Sequence, residues 1–177
     1  MQQSFKNVFL NEHGYLLDYV DGQMQDWSVR PNQIFAIALD FSPLDIKERK
    51  RILDICTREL VTPKGVRSLS PKSGGYNPLY VGQQTQRDFA YHNGTAWPWL
   101  TGFYLEAYLR IYKMSGVNFI ERQLIGFEEE LFYHCVGTIP ELFDGNPRFS
   151  GRGAISFAMN VSGLLRAINI LDKYTRE

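Results

Sequence analysis

Apolar residues recur at three- and four-residue spacings over several long stretches of this chain, and polar, Gly- and Pro-rich segments separate those stretches. That rhythm predicts a mainly helical fold, with strand-like alternation confined to short pieces. Residues Ser4–Leu10 read as a helix fragment. Tyr15–Val20 alternates, and Asp21-Gly22 supplies a turn, which predicts a short β-hairpin running to Ser28–Arg30. Pro31 suits a first helical turn, and Ile34, Phe35, Ala38 and Leu39 then give an apolar face, so a helix is expected near residues 31–40.

Ser42-Pro43-Leu44-Asp45 offers a capping hydroxyl, a proline at the first helical position and a carboxylate three residues on, ahead of a helix through Leu60. Ile52, Leu53, Cys56 and Leu60 form its buried stripe, and Lys47–Arg51 its solvated side. Val61–Trp97 has little periodicity and reads as a long loop dense in aromatic and polar residues. Loops of that length in compact domains are usually functional or disordered, and this composition argues against disorder. Helical spacing returns over 98–114, through Leu100, Tyr104, Ala107, Tyr108 and Ile111. It continues over 117–135, through Val117, Ile120, Leu124, Phe127, Leu131 and Cys135, which is expected to pack back antiparallel after Ser115-Gly116. Gly137–Ser150 is a second polar loop. The last helix carries Ala154, Phe157, Ala158, Val161, Leu164, Leu165, Ile168 and Leu171, with Ile155, Met159 and Ile170 on its flanks, so burial on more than one side is expected.

With 177 residues the chain is expected to form one domain, residues 1–177, with a substantial core. About half the helices of an (α/α) toroid are present, so the pattern implies either a compact half-bundle or exposed apolar surface that another segment or a second copy would cover. Nineteen basic and nineteen acidic side chains cancel, which leaves no basic field for nucleic acid. No apolar run is long enough to span a membrane, and the N-terminus lacks a secretory layout, so a soluble, unexported, cytoplasmic chain is expected. Cys56 and Cys135 fall on apolar faces and read as small buried hydrophobes. The three histidines have no Cys or carboxylate at ligand spacing, so neither a metal nor a cofactor is expected.

Aromatic residues make up 14% of the chain, and several stand beside Gly, Asn, Asp and Arg instead of in apolar runs. Flat rings next to fixed hydrogen-bonding groups suit a sugar, whose ring has apolar C–H faces and polar hydroxyl edges. Arg87-Asp88-Phe89-Ala90-Tyr91-His92-Asn93-Gly94-Thr95-Ala96-Trp97-Pro98-Trp99 concentrates both kinds of group. Gly137–Gly145 places Glu141 between a proline and an apolar pair. Glu141 stands open on residue chemistry as a carboxylate of a cleft, as a cap of the last helix, or as a partner of Arg148 or Arg152. Arg30, Asn32 and Gln33 cluster at a helix N-terminus, where they either bind hydroxyls or brace a loop.

Four segments in order, Arg30–Gln33, Leu60–Pro71, Tyr91–Trp99 and Pro140–Gly145, resemble the C-terminal glucosidase region of glycogen debranching enzymes, the amylo-alpha-1,6-glucosidase family. The resemblance implies part of an (α/α)6 barrel that hydrolyses α-1,6-linked glucose stubs at glycogen branches by an inverting mechanism, so the implied ligand is an α-glucan. It assigns Glu141 as general base. His92, Trp97 and Trp99 would shape the pocket, while Arg30, Asn32, Arg67, Asp88 and Tyr91 would hold hydroxyls or support loops. Asn93 departs from the family's Gln, and Ala158-Met159-Asn160 stands where the family has Ala-Trp-Ser. The family's general acid is expected upstream of Met1, which leaves the isolated chain inactive and makes an N-terminal barrel segment, or a second copy, its partner. The alternatives are a non-catalytic glucan-binding or assembly module, and another (α/α)6 glycosidase such as a glucoamylase.

Overall fold

The computed structural model describes residues 2–134 and 136–176. Helix α1 (Gln2–Phe9) leads into a hairpin of β1 (Val20–Asp21) and β2 (Met24–Gln25), turned by Gly22 at φ +58°. Helix α2 (Asn32–Ala38) follows Pro31 and buries Ile34, Ile37 and Ala38. Helix α3 (Ile46–Glu59) starts later than the sequence suggests. Asp45, not Ser42, is its cap: the Asp45 carboxylate accepts from the Lys47 and Glu48 N–H groups at 2.9 Å, and Glu48 reaches back to the Asp45 N–H at 2.8 Å. A reciprocal carboxylate box satisfies more of the orphan N–H groups than one hydroxyl, and it places negative charge at the positive helix end. The predicted stripe Ile52, Leu53, Cys56 and Leu60 is fully buried. Burial pushes the Cys56 thiol up, so it behaves as an apolar group. Cys135 lies outside the described residues.

The stretch 61–97 is not a loop throughout. It contains β3 (Val61–Thr62), β4 (Gly65–Arg67), helix α4 (Gln84–Tyr91) and β5 (Ala96–Trp97). Helix α5 (Trp99–Tyr112) follows at once, and then a single 3-10 turn at Lys113–Gly116. The predicted helix 117–135 is interrupted: α6 (Val117–Ile125) stops at Gly126, and a short α7 (Glu130–Tyr133) comes after it. The Gly126 carbonyl receives the Lys64 ammonium at 2.6 Å, and Phe127 turns inward to form a second small core with Ala96, Ile139 and Phe143. Strands β6 (Leu142–Phe143) and β7 (Gly151–Arg152) precede the last helix, α8 (Ala158–Arg176), which begins four residues after the predicted start.

Strands β3 to β7 form one antiparallel five-stranded sheet in sequential order, with Val66 opposite Trp97, Ala96 opposite Phe143 and Leu142 opposite Arg152. This sheet adds to the mainly helical fold that the sequence predicts, in which the only strands foreseen are those of the N-terminal hairpin. It also draws three of the recognised segments, 60–71, 91–99 and 140–145, onto neighbouring strands.

Behind the sheet, α5 packs against α2, α3 and most extensively α8. Gly102 and Gly163 meet at the α5–α8 crossing, where a Cβ on Gly163 would lie 2.5 Å from the Trp99 Cα. Phe119 of α6 stacks on Tyr108 of α5 at 4.4 Å, and α6 then runs against α8. The expectation that α8 is buried on more than one side does not hold among the described residues. Met159, Leu165 and Ile168 are exposed, as are Ile125 of α6 and Ile155 before α8. Between α6 and α8 lies an apolar groove of about 640 Å3 floored by Leu124, Phe127, Ile139, Val161, Leu164 and Leu171. The sequence alternative of exposed apolar surface is therefore the one observed.

Candidate active site

The hairpin, the start of α2 and the end of α4 enclose a cavity of about 550 Å3. Its polar wall consists of Asp18, Asp26, Arg30, Asn32 and Ser68. Its aromatic and apolar wall consists of Tyr19, Phe35, Tyr91, His92, Trp97, Trp99, Phe157 and Met159. Of the residues singled out in the sequence, Arg30, Asn32, Tyr91, His92, Trp97 and Trp99 converge here.

Each is held by the local fold. Arg30 donates to the carbonyls of His92 at 2.7 Å and Ser68 at 3.1 Å, and to Asn93 Oδ1 at 3.1 Å. Asn93, which departs from the resembled family, therefore has a partner; its own amide N–H group meets the Phe89 carbonyl at 2.7 Å. Asn32 donates to Asp18 Oδ1 at 2.7 Å, and Arg30 Nε lies 3.7 Å from Asp18 Oδ2. The Trp97 indole N–H is fixed by Thr95 Oγ1 at 3.1 Å, with the His92 ring stacked at 5.5 Å and the Tyr91 ring edge-on at 4.8 Å. Trp99 stacks on Phe35 at 6.0 Å. Burial, with the nearby Arg30 charge as a second cause, holds the His92 ring below the ordinary imidazole value, which favours the neutral form with its one donor and one acceptor.

Two predicted residues lie elsewhere. Arg67 donates to the Gly145 carbonyl at 2.8 Å and so ties β4 to the loop after Asp144. Asp88 is exposed on α4 and accepts from Gln84 at 2.6 Å. Neither lines the cavity.

Glu141 stands next to the cavity, linked to it through Tyr91. Tyr91 lines the cavity and its hydroxyl donates to Glu141 Oε1, while the Ala154 N–H donates to Oε2 at 2.9 Å. Burial, reinforced by the bond to the carboxylate, raises the Tyr91 hydroxyl above the ordinary tyrosine value, so it stays a proton donor across the working range of pH. Neither competing reading of Glu141, as a cap of the last helix or as a partner of an arginine, is what the geometry contains. Ala154 precedes the first residue of α8 by four positions, and Arg152 donates through Nε and Nη2 to a single oxygen of Asp144, Oδ2, at 3.0 and 2.9 Å. Asp144 in turn accepts from the Tyr80 N–H at 2.9 Å, which locks the loop around Glu141. Among the described residues, no group of three or more His, Cys, Asp or Glu is placed to hold a metal ion. No described helix is long and apolar enough to cross a membrane.

Sequence reasoning missed Asp18, Asp26 and Asn160. The two aspartates flank the observed strands β1 and β2, and they come beside Arg30 and Asn32 only through the folding of that hairpin, so no local signal marked them. Asn160 is a fully buried amide on the amphipathic helix α8, and its departure from the resembled family's Ser was its signal.

Helices backing a small sheet, with an aromatic and carboxylate-lined cavity at one end, give this chain a fold like that of a trehalase. Neutral trehalase from Saccharomyces cerevisiae superposes with a TM-score of 0.61 at 16% identity, over 98% of this chain and 31% of that one. The sequence model of the amylo-alpha-1,6-glucosidase family matches residues 1–166, and the chain belongs to that family. The glycogen debranching enzyme of S. cerevisiae is 35% identical over 109 residues, which is 56% of this chain and 7% of that protein. The chain thus spans a small part of the relative it matches.

Proposed function

We propose that this chain is the base-bearing part of a cytoplasmic α-1,6-glucosidase that removes single glucose stubs from glycogen branches with inversion. In this reading its residues act as one unit within an (α/α)6 barrel. The observation that carries it is the pairing of a sugar-sized aromatic and polar cavity with a carboxylate, Glu141, both of whose oxygens are oriented by fixed donors. Each carboxylate oxygen has two lone pairs, so Glu141 retains acceptor capacity for a water molecule.

In this reading Glu141 removes a proton from water on the face of the sugar opposite the leaving group. The water oxygen bonds to the anomeric carbon as the bond from that carbon to the glycosidic oxygen breaks. A general acid on a further barrel segment returns a proton to that oxygen. Carboxyls in inverting enzymes stand about 6.5–9.5 Å apart, which leaves room for the water. Trp97, Trp99 and His92 face the apolar side of the glucose ring, and Arg30, Asn32 and Asp18 its hydroxyls. Arg67 supports the loop after Asp144, and Asp88 stays within α4. The groove between α6 and α8 receives the helices of the further segment.

The direct check is glucose release from an α-1,6-branched limit dextrin. The chain alone gives none, and addition of the complementary barrel segment restores it. Release by the pure chain would contradict the division of acid and base between segments.

A second reading, a glucan-binding or assembly module without hydrolysis, is favoured by one observation: Glu141 itself does not line the cavity. It predicts sugar binding with no hydrolysis even after complementation.

A further inference from the structure

We infer that Asn160 is a positioning residue for Glu141, clamping the backbone on both sides of the cleft so that the Glu141 carboxylate stays against Tyr91. The inference rests on the reading of Glu141 as the general base.

Asn160 sits in the first turn of α8 and has no exposed surface. Its side-chain oxygen accepts from the Trp99 N–H at 3.0 Å, and its two amide hydrogens go to the carbonyls of Pro140 and Glu141, both at 2.6 Å. Trp99 is the first residue of α5, so its N–H belongs to the group of helix-start donors that need a partner from outside the helix. One primary amide therefore joins the end of the 91–99 segment to the residue that bears the carboxylate.

A primary amide is the side chain suited to this task, because it presents one acceptor and two donors from a single planar group. An aspartate would aim an anion at two carbonyl oxygens. A serine is shorter and carries only one donor.

A second, independent observation supports the clamp. One turn further along α8, Gly163 lets the helix close on the Trp99 backbone, where a Cβ would come within 2.5 Å of the Trp99 Cα. The close approach brings the Asn160 amide within reach of both segments. Beyond the clamp, the Glu141 side chain returns to Tyr91, which itself belongs to the 91–99 segment. The backbone tie and the side-chain tie thus close one ring through the cleft.

The test uses the chain as it stands, labelled with 13C at the ring carbon that bears the tyrosine hydroxyl. The Tyr91 resonance, assigned with Tyr91→Phe, reports whether its hydroxyl donates to a carboxylate, and Glu141→Gln marks the position when that bond is altered. Asn160→Ala is expected to move the Tyr91 resonance more than halfway to the Glu141→Gln position. Asn160→Ser should move it in the same direction by less, and it carries the test if the alanine variant fails to fold. Tyr104→Phe, which removes the 2.8 Å bond to Thr57 deep in the α3–α5 contact, serves as the control for general destabilisation and should leave the resonance in place. A wild-type Tyr91 resonance in the folded Asn160 variants, or an equal displacement in Tyr104→Phe, would overturn the inference. Because the readout involves no hydrolysis, its failure leaves the base assignment standing. Loss of the base assignment would show instead as hydrolysis by Glu141→Gln, which this resonance does not read.

Discussion

The hydroxyl of Tyr91 donates to Oε1 of Glu141, so the residue that forms part of the cavity wall also holds the carboxylate beside it. A hydrogen bond to a charged acceptor contributes about 1.5–3 kcal/mol. In the complemented enzyme, Tyr91→Phe should therefore lower kcat by roughly ten- to a hundredfold. The aromatic ring remains, so KM should change little. Steady-state kinetics on a branched dextrin separates the two effects, and a rise in KM at constant kcat would assign Tyr91 to binding alone.

Gly163 permits the close α5–α8 crossing, and a methyl group there has no room beside Trp99. Overpacking of this kind costs about 1–3 kcal/mol. Gly163→Ala is expected to lower Tm by roughly 2–12 °C, at about 2–4 °C per kcal/mol for a chain of this size. It should also weaken maltooligosaccharide binding, because Trp99 shifts with its backbone. Differential scanning fluorimetry and a tryptophan-fluorescence titration measure the two effects.

Glu59 gives the fold a specific acid sensitivity. Burial opposes its charge, yet hydrogen bonds from Lys72, Arg58 and Ser70 prevail and hold its carboxyl below the ordinary 4.5. A folded-state value below the unfolded one means that this contribution to stability is fully present above pH 4.5 and is lost as pH falls below it towards the folded value. Glu59→Gln should flatten that part of the stability curve. Urea midpoints measured between about pH 3 and pH 6 check the slope around the reference carboxylate value.

How much of this was legible in the sequence depended on how far each element buries a repeating face. The stripe through Ile52, Leu53, Cys56 and Leu60 announced α3, and similar spacing announced α5 and α8. Helix α4 stayed hidden because Ala90 is its only buried residue, leaving no apolar stripe to read. The five-stranded sheet stayed hidden because its strands are two or three residues long, too short for alternation to register. Trp97, Trp99, Tyr91 and Glu141 were recognisable as chemistry within two segments. The sheet that places those segments side by side could not be read locally, since Ala96 pairs with Phe143 across dozens of intervening residues. Asp18 and Asp26 became visible only once the hairpin folded over Arg30 and Asn32.

The groove between α6 and α8 should be dispensable for folding of the chain and necessary for assembly. Leu165 is 59% exposed on its rim, so Leu165→Glu should leave Tm within about 2 °C of wild type, as surface substitutions do. The same change should abolish recovery of hydrolysis on adding the complementary segment, because it buries an unpaired charge in an apolar contact. Co-elution of the two segments on a sizing column reads the outcome.

If Glu141 is the general base, Glu141→Gln in the complemented enzyme should lose about two to four decades of glucose release, the usual contribution of a positioned base. Azide, a small nucleophile that needs no deprotonation, should restore turnover as a glucosyl azide. Hydrolysis by Glu141→Gln near the wild-type rate would rule Glu141 out as the base.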